Sequence, residues 1–194
     1  LEGNGRCLLC LADVSGHGVP AAMAATMIKA LVLEAIESTT SPAEILSRIN
    51  RRYAEIIVPG HYATMVIVIL DSEAKSLCCA NAGHEPPFIQ EPGQSVTRFE
   101  VGDLMLGVDG STSYTERSMP ISDGTKIVLV SDGVTESFDP DDRQFGTERV
   151  AKTMQHASNA SAEKLAKQFS DALTKFRRSR APFDDTTLLV AELS

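Results

Sequence analysis

The stretch LADVSGHGVPAAM, residues 11–23, joins an apolar strand to a helix through a turn that begins with a charge. Residues 8–12 are apolar and predict a buried strand, and Asp13 stands at its end. Gly16 and Gly18 follow, as expected where a backbone turns sharply or closely approaches a bound group. Burying an unpaired carboxylate is costly, so Asp13 is a candidate for binding a positive charge.

Two later stretches repeat this pattern. Asp132 follows the apolar run KIVLV at residues 126–130. Asp184 and Asp185 directly precede a strand predicted at residues 186–192. Carboxylates gathered at one end of a sheet repel each other unless a cation lies among them, and hard oxygen ligands suit Mg²⁺ or Mn²⁺. Each aspartate taken alone is more simply interpreted as a polar turn residue.

Composition restricts the class of protein. The 194 residues carry a formal net charge of -8, which argues against a nucleic-acid partner because phosphate contacts need clustered Lys and Arg. The basic run at residues 175–180 is expected to be the solvated end of a helix, and a binding patch is the alternative. With 43% hydrophobic residues, the chain is expected to form a single domain at residues 1–194 without a membrane span.

The four cysteines lie in apolar runs that predict strands. Cys7 and Cys10 have zinc-like spacing, but strand alternation would direct the two thiols to opposite faces. Cys78 and Cys79 are adjacent in the same kind of run. All four are therefore expected to be buried free thiols, which favours a reducing cytoplasmic location.

Periodicity predicts helices in two sequential pairs separated by strands. The first helix is rich in Ala and Met and is expected to be buried on most sides. Short successive strands joined by tight turns favour antiparallel pairing, so the predicted class is α+β with a sheet core covered by helices. The predicted helices are residues 20–37, 41–57, 146–156 and 161–178, and the predicted strands between and after them are residues 63–70, 76–81, 88–91, 96–100, 114–119, 126–130 and 186–192.

Six motifs extend along nearly the whole chain. They are DVSGHGVPAA at residues 13–22, NAGHEPP at residues 81–87, LG at residues 106–107, SDGVTE at residues 131–136, FG at residues 145–146 and DDTT at residues 184–187. Their order resembles that in the metal-dependent protein phosphatases of type 2C. More narrowly, the chain resembles the bacterial branch named after sporulation stage II protein E, whose members regulate sigma factors. The resemblance implies an α/β/β/α sandwich of two mainly antiparallel sheets flanked by helix pairs.

The resemblance also implies a centre of two Mn²⁺ or Mg²⁺ ions. Asp13 would bridge both metals, and the carbonyl of Val14 could supply another ligand. Asp132 and Asp184 would hold one metal, and Asp185 would orient Asp184 or bind a water. Two such ions activate a bridging water for in-line attack on phosphorus, so no protein nucleophile is required.

Other residues of the motifs are expected to line or support this centre. Gly16 and Gly133 would lie beside the phosphate. His17 is expected to be a positive or polar group facing solvent near it, and an obligate general acid that protonates the leaving oxygen is the alternative. His84 is expected to be structural and to tie a turn together with Asn81.

The predicted activity is hydrolysis of phosphoserine or phosphothreonine on a protein, and the resemblance suggests a phosphorylated anti-sigma-factor antagonist as substrate. The alternatives are a catalytically weak, phosphatase-shaped binding module and a metal-dependent nuclease or other phosphodiesterase. The acidic composition disfavours the nuclease.

The sequence departs from the family pattern ahead of Asp13. Family members carry a strand and a Gly-Gly-Asp-type turn there, whereas only residues 1–12 precede Asp13 and Glu2 stands in no such motif. Either the chain lacks the first strand and a metal-binding turn of the natural protein, or the second metal is weakly held. The chain is further expected to be the C-terminal part of a larger protein with an N-terminal sensor or receiver domain. An exposed sheet edge would invite pairing with another chain, so a homodimer is a further expectation.

Overall fold

The computed structural model describes residues 2–3, 5–57 and 60–193. Glu2, which stands in no metal-binding motif, lies in a two-residue strand. The elements in chain order are β1 (Glu2–Gly3), β2 (Arg6–Val14), α1 (Val19–Ile36), α2 (Pro42–Ile56), β3 (Ala63–Asp71), β4 (Ser76–Ala82), β5 (Phe88–Gln90), β6 (Thr97–Arg98), β7 (Arg117–Pro120), β8 (Lys126–Val130), α3 (Asp132–Thr135), α4 (Gly146–His156), α5 (Ala162–Arg177) and β9 (Leu188–Glu192).

The chain divides into two compact units, and each contains one antiparallel sheet. Unit 1 comprises residues 1–86 and 101–120, and its strand order is β1-β2-β3-β4-β7. Unit 2 comprises residues 87–100 and 121–194, and its strand order is β6-β5-β8-β9. Helices α1 and α2 belong to unit 1, and α4 and α5 belong to unit 2. The predicted α+β class, with antiparallel sheets and helix pairs, is confirmed.

The central strands of unit 1 present alternate residues to the helices. Ala63, Met65 and Ile67 of β3 are fully buried in one cluster with the apolar stripes of α1 and α2. Thr64 lies between the first two of these residues and therefore on the opposite face of the sheet. Strand β2 pairs with β3 along its whole length, with Asp13 opposite Thr64. Asp13 is thus on the face of this sheet that does not carry the helices.

Helix α2 is amphipathic and has a side-chain cap at its N-terminus. The side-chain oxygen of Ser41 accepts a hydrogen bond from the backbone N–H of Glu44 at 3.1 Å, which satisfies one free donor of the first turn. Ile45, Ile49 and Tyr53 are buried at helical spacing and contribute to the core of unit 1.

Helix α1 buries only one narrow stripe, formed by Ala24, Ile28, Val32 and Ala35. Met23 is 61% exposed, so the prediction that this helix is buried on most sides is wrong. A helix that covers one face of a single sheet has only one side to bury, and its apolar residues here extend around the whole circumference.

The same composition affects the membrane expectation. Among the helices that the structure describes, α1 alone is long and apolar enough to cross a membrane, with a mean hydropathy of 1.7 over 18 residues. Core helices of proteins without membrane spans meet the same criterion of length and composition, so the expectation of no membrane span stays a prediction. Its buried stripe belongs to the core cluster of unit 1.

Unit 2 has its own core between the sheet and helices α4 and α5. Strand β8 is buried at all five positions, which explains why KIVLV shows no alternation of apolar and polar residues. The fully or almost fully buried members of this core are Phe88, Val128, Val130, Val134, Phe145, Val150, Met154, Leu165 and Phe169.

Predicted boundaries differ from the observed ones mainly at loop-rich positions. The strand expected at residues 186–192 begins only at Leu188, because the N–H of Thr187 donates to a serine side chain instead of a neighbouring strand. The short helix α3 was not predicted, and it begins at Asp132.

Candidate metal centre

Asp13 lies inside strand β2, which continues to Val14, so the prediction that the strand ends before Asp13 is wrong by two residues. Both residues are partly buried. On the neighbouring strand, Thr64 stands directly opposite Asp13, and its Oγ1 lies 2.8 Å from Nδ1 of His84. Thr64 therefore links the strand position of Asp13 to the turn that contains His84.

The turn around His84 is held by Asn81. The side-chain N–H of Asn81 donates to the carbonyl of His84, and the backbone N–H of His84 donates to Asn81 Oδ1, both at 2.8 Å. The structural role predicted for His84 is confirmed. Thr64 gives no sequence signal for its position beside Asp13, because it lies within an apolar strand.

The turn after β2 is fixed at its base by Ser15. Its backbone N–H donates to the carbonyl of Tyr62, and its side-chain oxygen accepts from the N–H of Tyr62, both at 2.9 Å. Gly16 has φ 90°, a conformation that side chains other than glycine rarely adopt, and His17 is exposed beside it. The turn therefore holds His17 at the surface next to the end of β2.

In unit 2, Asp132 begins helix α3 directly after β8, and its side chain is exposed. Its carbonyl accepts from the N–H of Glu136 at 2.7 Å and from the hydroxyl of Thr135 at 3.2 Å. The backbone of the short helix therefore orients Asp132, and Thr135 supports this first turn.

Ser131 joins the segment of Asp132 to the segment of Asp184. Its N–H donates to the carbonyl of Thr187, and its hydroxyl oxygen accepts from the N–H of Thr187, both at 3.0 Å. The hydroxyl also donates to the carbonyl of Asp185 at 3.2 Å. Unit 2 therefore places its two predicted metal ligands, Asp132 and Asp184, on adjoining backbone segments.

Gly133 is required by this close approach and not by its backbone angle. A Cβ built on Gly133 would collide with the carbonyl oxygen of Asp185, and would lie 3.6 Å from the carbonyl carbon of Asp184. The side chain of any other residue would therefore push the two segments apart.

Asp184 and Asp185 are both exposed. The backbone N–H of Asp185 donates to Oδ1 of Asp184 at 2.7 Å, so the Asp185 backbone orients the Asp184 carboxylate. The predicted function of the Asp185 side chain, binding a water or positioning Asp184, stays a prediction.

Arg177 connects the end of α5 to both segments. Its guanidinium donates to Ser137 Oγ at 2.7 Å and to Thr186 Oγ1 at 2.6 Å. Ser137 in turn donates to the carbonyl of Gly133 at 2.6 Å. The basic run was expected to be solvated, and for Arg177 this expectation is wrong because its guanidinium is held by two hydroxyl groups.

A buried carboxylate stabilises the loop that follows α3. Burial alone would raise the pKa of Asp139, but hydrogen bonds from the backbone N–H groups of Arg143 and Asp141 and the Arg143 guanidinium outweigh it and lower that pKa. Arg180 donates to the carbonyl of Asp139 at 2.8 Å. Two arginines therefore hold the loop through Asp139. Arg143 lies within the loop, and Arg180 lies at the end of the basic run.

Thiols are poorly suited to act as nucleophiles here. Burial raises the pKa of Cys79 to about 12, and it also raises the pKa of Cys10 and of Cys78. A thiolate is the reactive form, so these groups are inert near neutral pH. Cys10 packs against the core of unit 1, and the alternation of β2 places Cys7 on the other face, which agrees with the prediction against a zinc pair.

The donors fit a hard divalent cation in their chemistry. Asp13 belongs to unit 1, whereas Asp132 and Asp184 belong to unit 2 and expose their carboxylates. Within residues 5–57 and 60–193, no three Asp, Glu, His or Cys side chains already form a group that could hold a metal ion. The assignment of Asp13, Val14, Asp132 and Asp184 as metal ligands thus stays a prediction.

We expect Arg177→Met to weaken Mn²⁺ binding about tenfold, because groups that orient metal ligands typically contribute this much or more. The substitution removes the link between Ser137 and Thr186 but no predicted ligand. Titration calorimetry with Mn²⁺ would measure the change. The neighbouring Arg178→Met is the matched control and should leave the affinity unaltered; equal effects of the two substitutions would contradict the positioning role.

The chain is similar in sequence to the phosphoserine phosphatase RsbU of Bacillus subtilis (strain 168), with 28% identity over 183 residues. The similarity covers 94% of this chain and 54% of RsbU, so the chain spans about half the length of this relative.

The structure is similar to the SiaA-PP2C domain of Pseudomonas aeruginosa, with a TM-score of 0.90 and 21% identity over 100% of this chain and 78% of that chain. It is also similar to the catalytic domain of the serine threonine protein phosphatase PstP in complex with 2 manganese ions, with a TM-score of 0.66 and 15% identity over 98% of this chain and 91% of that one. The fold is therefore that of PP2C domains. Residues 3–194 match the family described as stage II sporulation protein E (SpoIIE). The chain belongs to the SpoIIE family.

Proposed function

We propose that the chain is the catalytic domain of a metal-dependent protein phosphatase that hydrolyses phosphoserine or phosphothreonine. The observation that carries the proposal is the joining of two exposed aspartates, Asp132 and Asp184, through Ser131. The similar proteins support it, because RsbU is named a phosphoserine phosphatase and the PstP catalytic domain binds two manganese ions.

In this proposal Asp13, Asp132 and Asp184, with the carbonyl of Val14, would hold two Mn²⁺ or Mg²⁺ ions. When bound, such ions lower the pKa of a coordinated water and neutralise charge on the phosphate oxygens. Asp185 orients Asp184 through its backbone N–H, at 2.7 Å from Oδ1. The protein then supplies ligands and their positions, and no side-chain nucleophile.

The turn after β2 would contribute to phosphate binding. His17 and Gly16 are exposed there, and Gly133 lies next to Asp132 in unit 2. His17 would act as a polar group near the phosphate, because its side chain is exposed and has no hydrogen-bond partner among the residues that the structure describes.

We also propose that the substrate is a phosphorylated protein, and specifically an anti-sigma-factor antagonist, on the strength of membership in the SpoIIE family. An N-terminal sensor or receiver domain is a further proposal, supported by the length of RsbU outside the similar region. A homodimer and a cytoplasmic location stay predictions.

A catalytically weak binding module is the second candidate. It is favoured by the observation that the described residues contain no preassembled group of three metal-binding side chains. Three aspartates in the motif positions favour the enzyme, because a module without metals gains nothing from gathering repelling charges.

The deciding experiment is hydrolysis of p-nitrophenyl phosphate and of a phosphoserine peptide by the purified chain. We expect turnover with Mn²⁺ or Mg²⁺ and none with excess EDTA, because the ions supply the activated water. Turnover that persists in EDTA would contradict the metal mechanism. Absence of turnover at saturating metal, together with retained binding of the phosphoserine peptide, would favour the binding module.

A further inference from the structure

A groove of about 430 Å³ lies in unit 2 between α4, α5 and the loop that follows α3. It is strongly basic although the chain as a whole has a net charge of -8. We call it the basic groove. One carboxylate, Asp139, contributes to its lining, and the Lys and Arg residues that line it are Arg143, Arg149, Lys152, Lys175 and Arg178.

The groove has an aromatic wall formed by Phe145 and Phe176. The rings of Phe145 and Phe176 meet edge to face with centroids 5.3 Å apart. The guanidinium of Arg149 lies 4.8 Å from the Phe176 centroid, and its Nη1 donates to the carbonyls of Gln144 and Phe145, both at 2.9 Å. Arg149 is therefore held in place before any ligand binds, which reduces the entropy lost on binding.

The cations of the groove are neutralised to different degrees. Arg143 pairs with Asp139 and Asp141, and Lys152 pairs with Glu148 at 2.7 Å. Lys175 and Arg178 are exposed, and neither side chain has an ion-pair partner among the residues that the structure describes. Uncompensated positive charge is thus concentrated at the end of the groove formed by the C-terminus of α5.

We propose that the basic groove binds an acidic peptide segment of a protein partner. Carboxylates of the segment would pair with Lys175 and Arg178, and an aromatic or aliphatic side chain between them would pack on the Phe176 ring. Complementary charge attracts such a segment, and partly desolvated pairs beside an aromatic wall are stronger than fully solvated ones.

The size of the groove favours a short peptide over a nucleic acid. Helix α4 has 11 residues and is about 16 Å long, which accommodates about five residues of an extended peptide. A nucleic acid would extend past these cations onto a chain whose net charge is -8 and would be repelled. The proposal is independent of the phosphatase activity, since no predicted metal ligand lines the groove.

Fluorescence anisotropy with the whole chain tests the proposal. The probe is a fluorescein-labelled peptide of sequence EEFEE, and the neutral analogue QQFQQ is the comparison. We expect EEFEE to bind at least about tenfold more tightly than QQFQQ, and added salt to weaken its binding. We expect the double variant Lys175→Glu/Arg178→Glu to lose about tenfold or more of this affinity.

The matched control is Lys164→Glu/Lys167→Glu, which makes the same change of charge on the same helix outside the groove and should bind EEFEE nearly as well as the unaltered chain. Thermal midpoints of all variants verify folding. Equal affinity for EEFEE and QQFQQ, or equal losses in both double variants, would overturn the proposal. Stronger competition by an oligo-dT or by inorganic phosphate than by unlabelled EEFEE would overturn it too. None of these outcomes bears on the phosphatase proposal, which the hydrolysis of p-nitrophenyl phosphate tests separately.

Discussion

Asp132→Asn should lower Mn²⁺-dependent hydrolysis of p-nitrophenyl phosphate by more than about a hundredfold, which is the upper range for residues that only support a metal ligand. The substitution preserves size and shape but removes one negative charge and one strong oxygen ligand. Because the Asp132 side chain is exposed, the substitution should leave the stability of the fold unchanged. Initial rates at several Mn²⁺ concentrations measure the effect, and Mn²⁺ affinity from calorimetry should fall with them.

The control for this substitution is Asp171→Asn, the same chemical change at an exposed position of α5. It should leave both the rate and the metal affinity unchanged. Asp184→Asn and Asp13→Asn should resemble Asp132→Asn if all three residues hold the metals. An Asp132→Asn protein with normal rate and normal affinity would remove Asp132 from the centre.

Local sequence patterns predict two kinds of element: those that are stabilised by contacts between near neighbours in sequence, and those that consist of an uninterrupted apolar run. Ser41 and Glu44 mark the start of α2, because capping involves residues three positions apart. The run at residues 126–130 predicted β8 with both boundaries correct, since a strand buried at every position leaves an uninterrupted apolar run.

The contacts that position the predicted ligands could not be predicted in this way. Ser131 binds a segment 54 residues later, and Arg177 binds Ser137 across 40 residues. A serine before an aspartate and an arginine at a helix end are ordinary in sequence, and only the folded chain shows that Ser131 contacts distant backbone groups and Arg177 contacts distant hydroxyl groups. The sequence thus indicates candidate ligands but not the residues that hold them.

Helix α1 shows a different limit. Apolar residues occur on all its sides, and its polar residues are only Thr26, Lys29 and Glu34, so the sequence contains little periodic signal for the buried face. The structure selects the stripe with Ala24 and Ala35, whose small side chains permit close packing, and leaves Met23 at the surface. The apolar composition of α1 therefore predicts more burial of its side chains than the structure shows.

Gly133→Ala should destabilise the chain by about 2 kcal/mol or more, as overpacking of a closely packed site typically does. The added methyl group would meet the carbonyl oxygen of Asp185, and the neighbouring strand β8 is buried and cannot easily move away. Relief would come from displacement of the segment that carries Asp184. Stability to urea and Mn²⁺ affinity should therefore fall together in this variant.

Gly102→Ala is the matched control, because a Cβ at Gly102 meets no atom within 4 Å and its φ does not require glycine. The control should change neither the urea midpoint nor the Mn²⁺ affinity. If Gly133→Ala lost stability but kept full Mn²⁺ affinity, the Asp184 segment would not depend on Gly133 for its position. If both quantities fell, the contact between Gly133 and Asp185 would be the one that aligns two predicted ligands from segments about 50 residues apart in sequence.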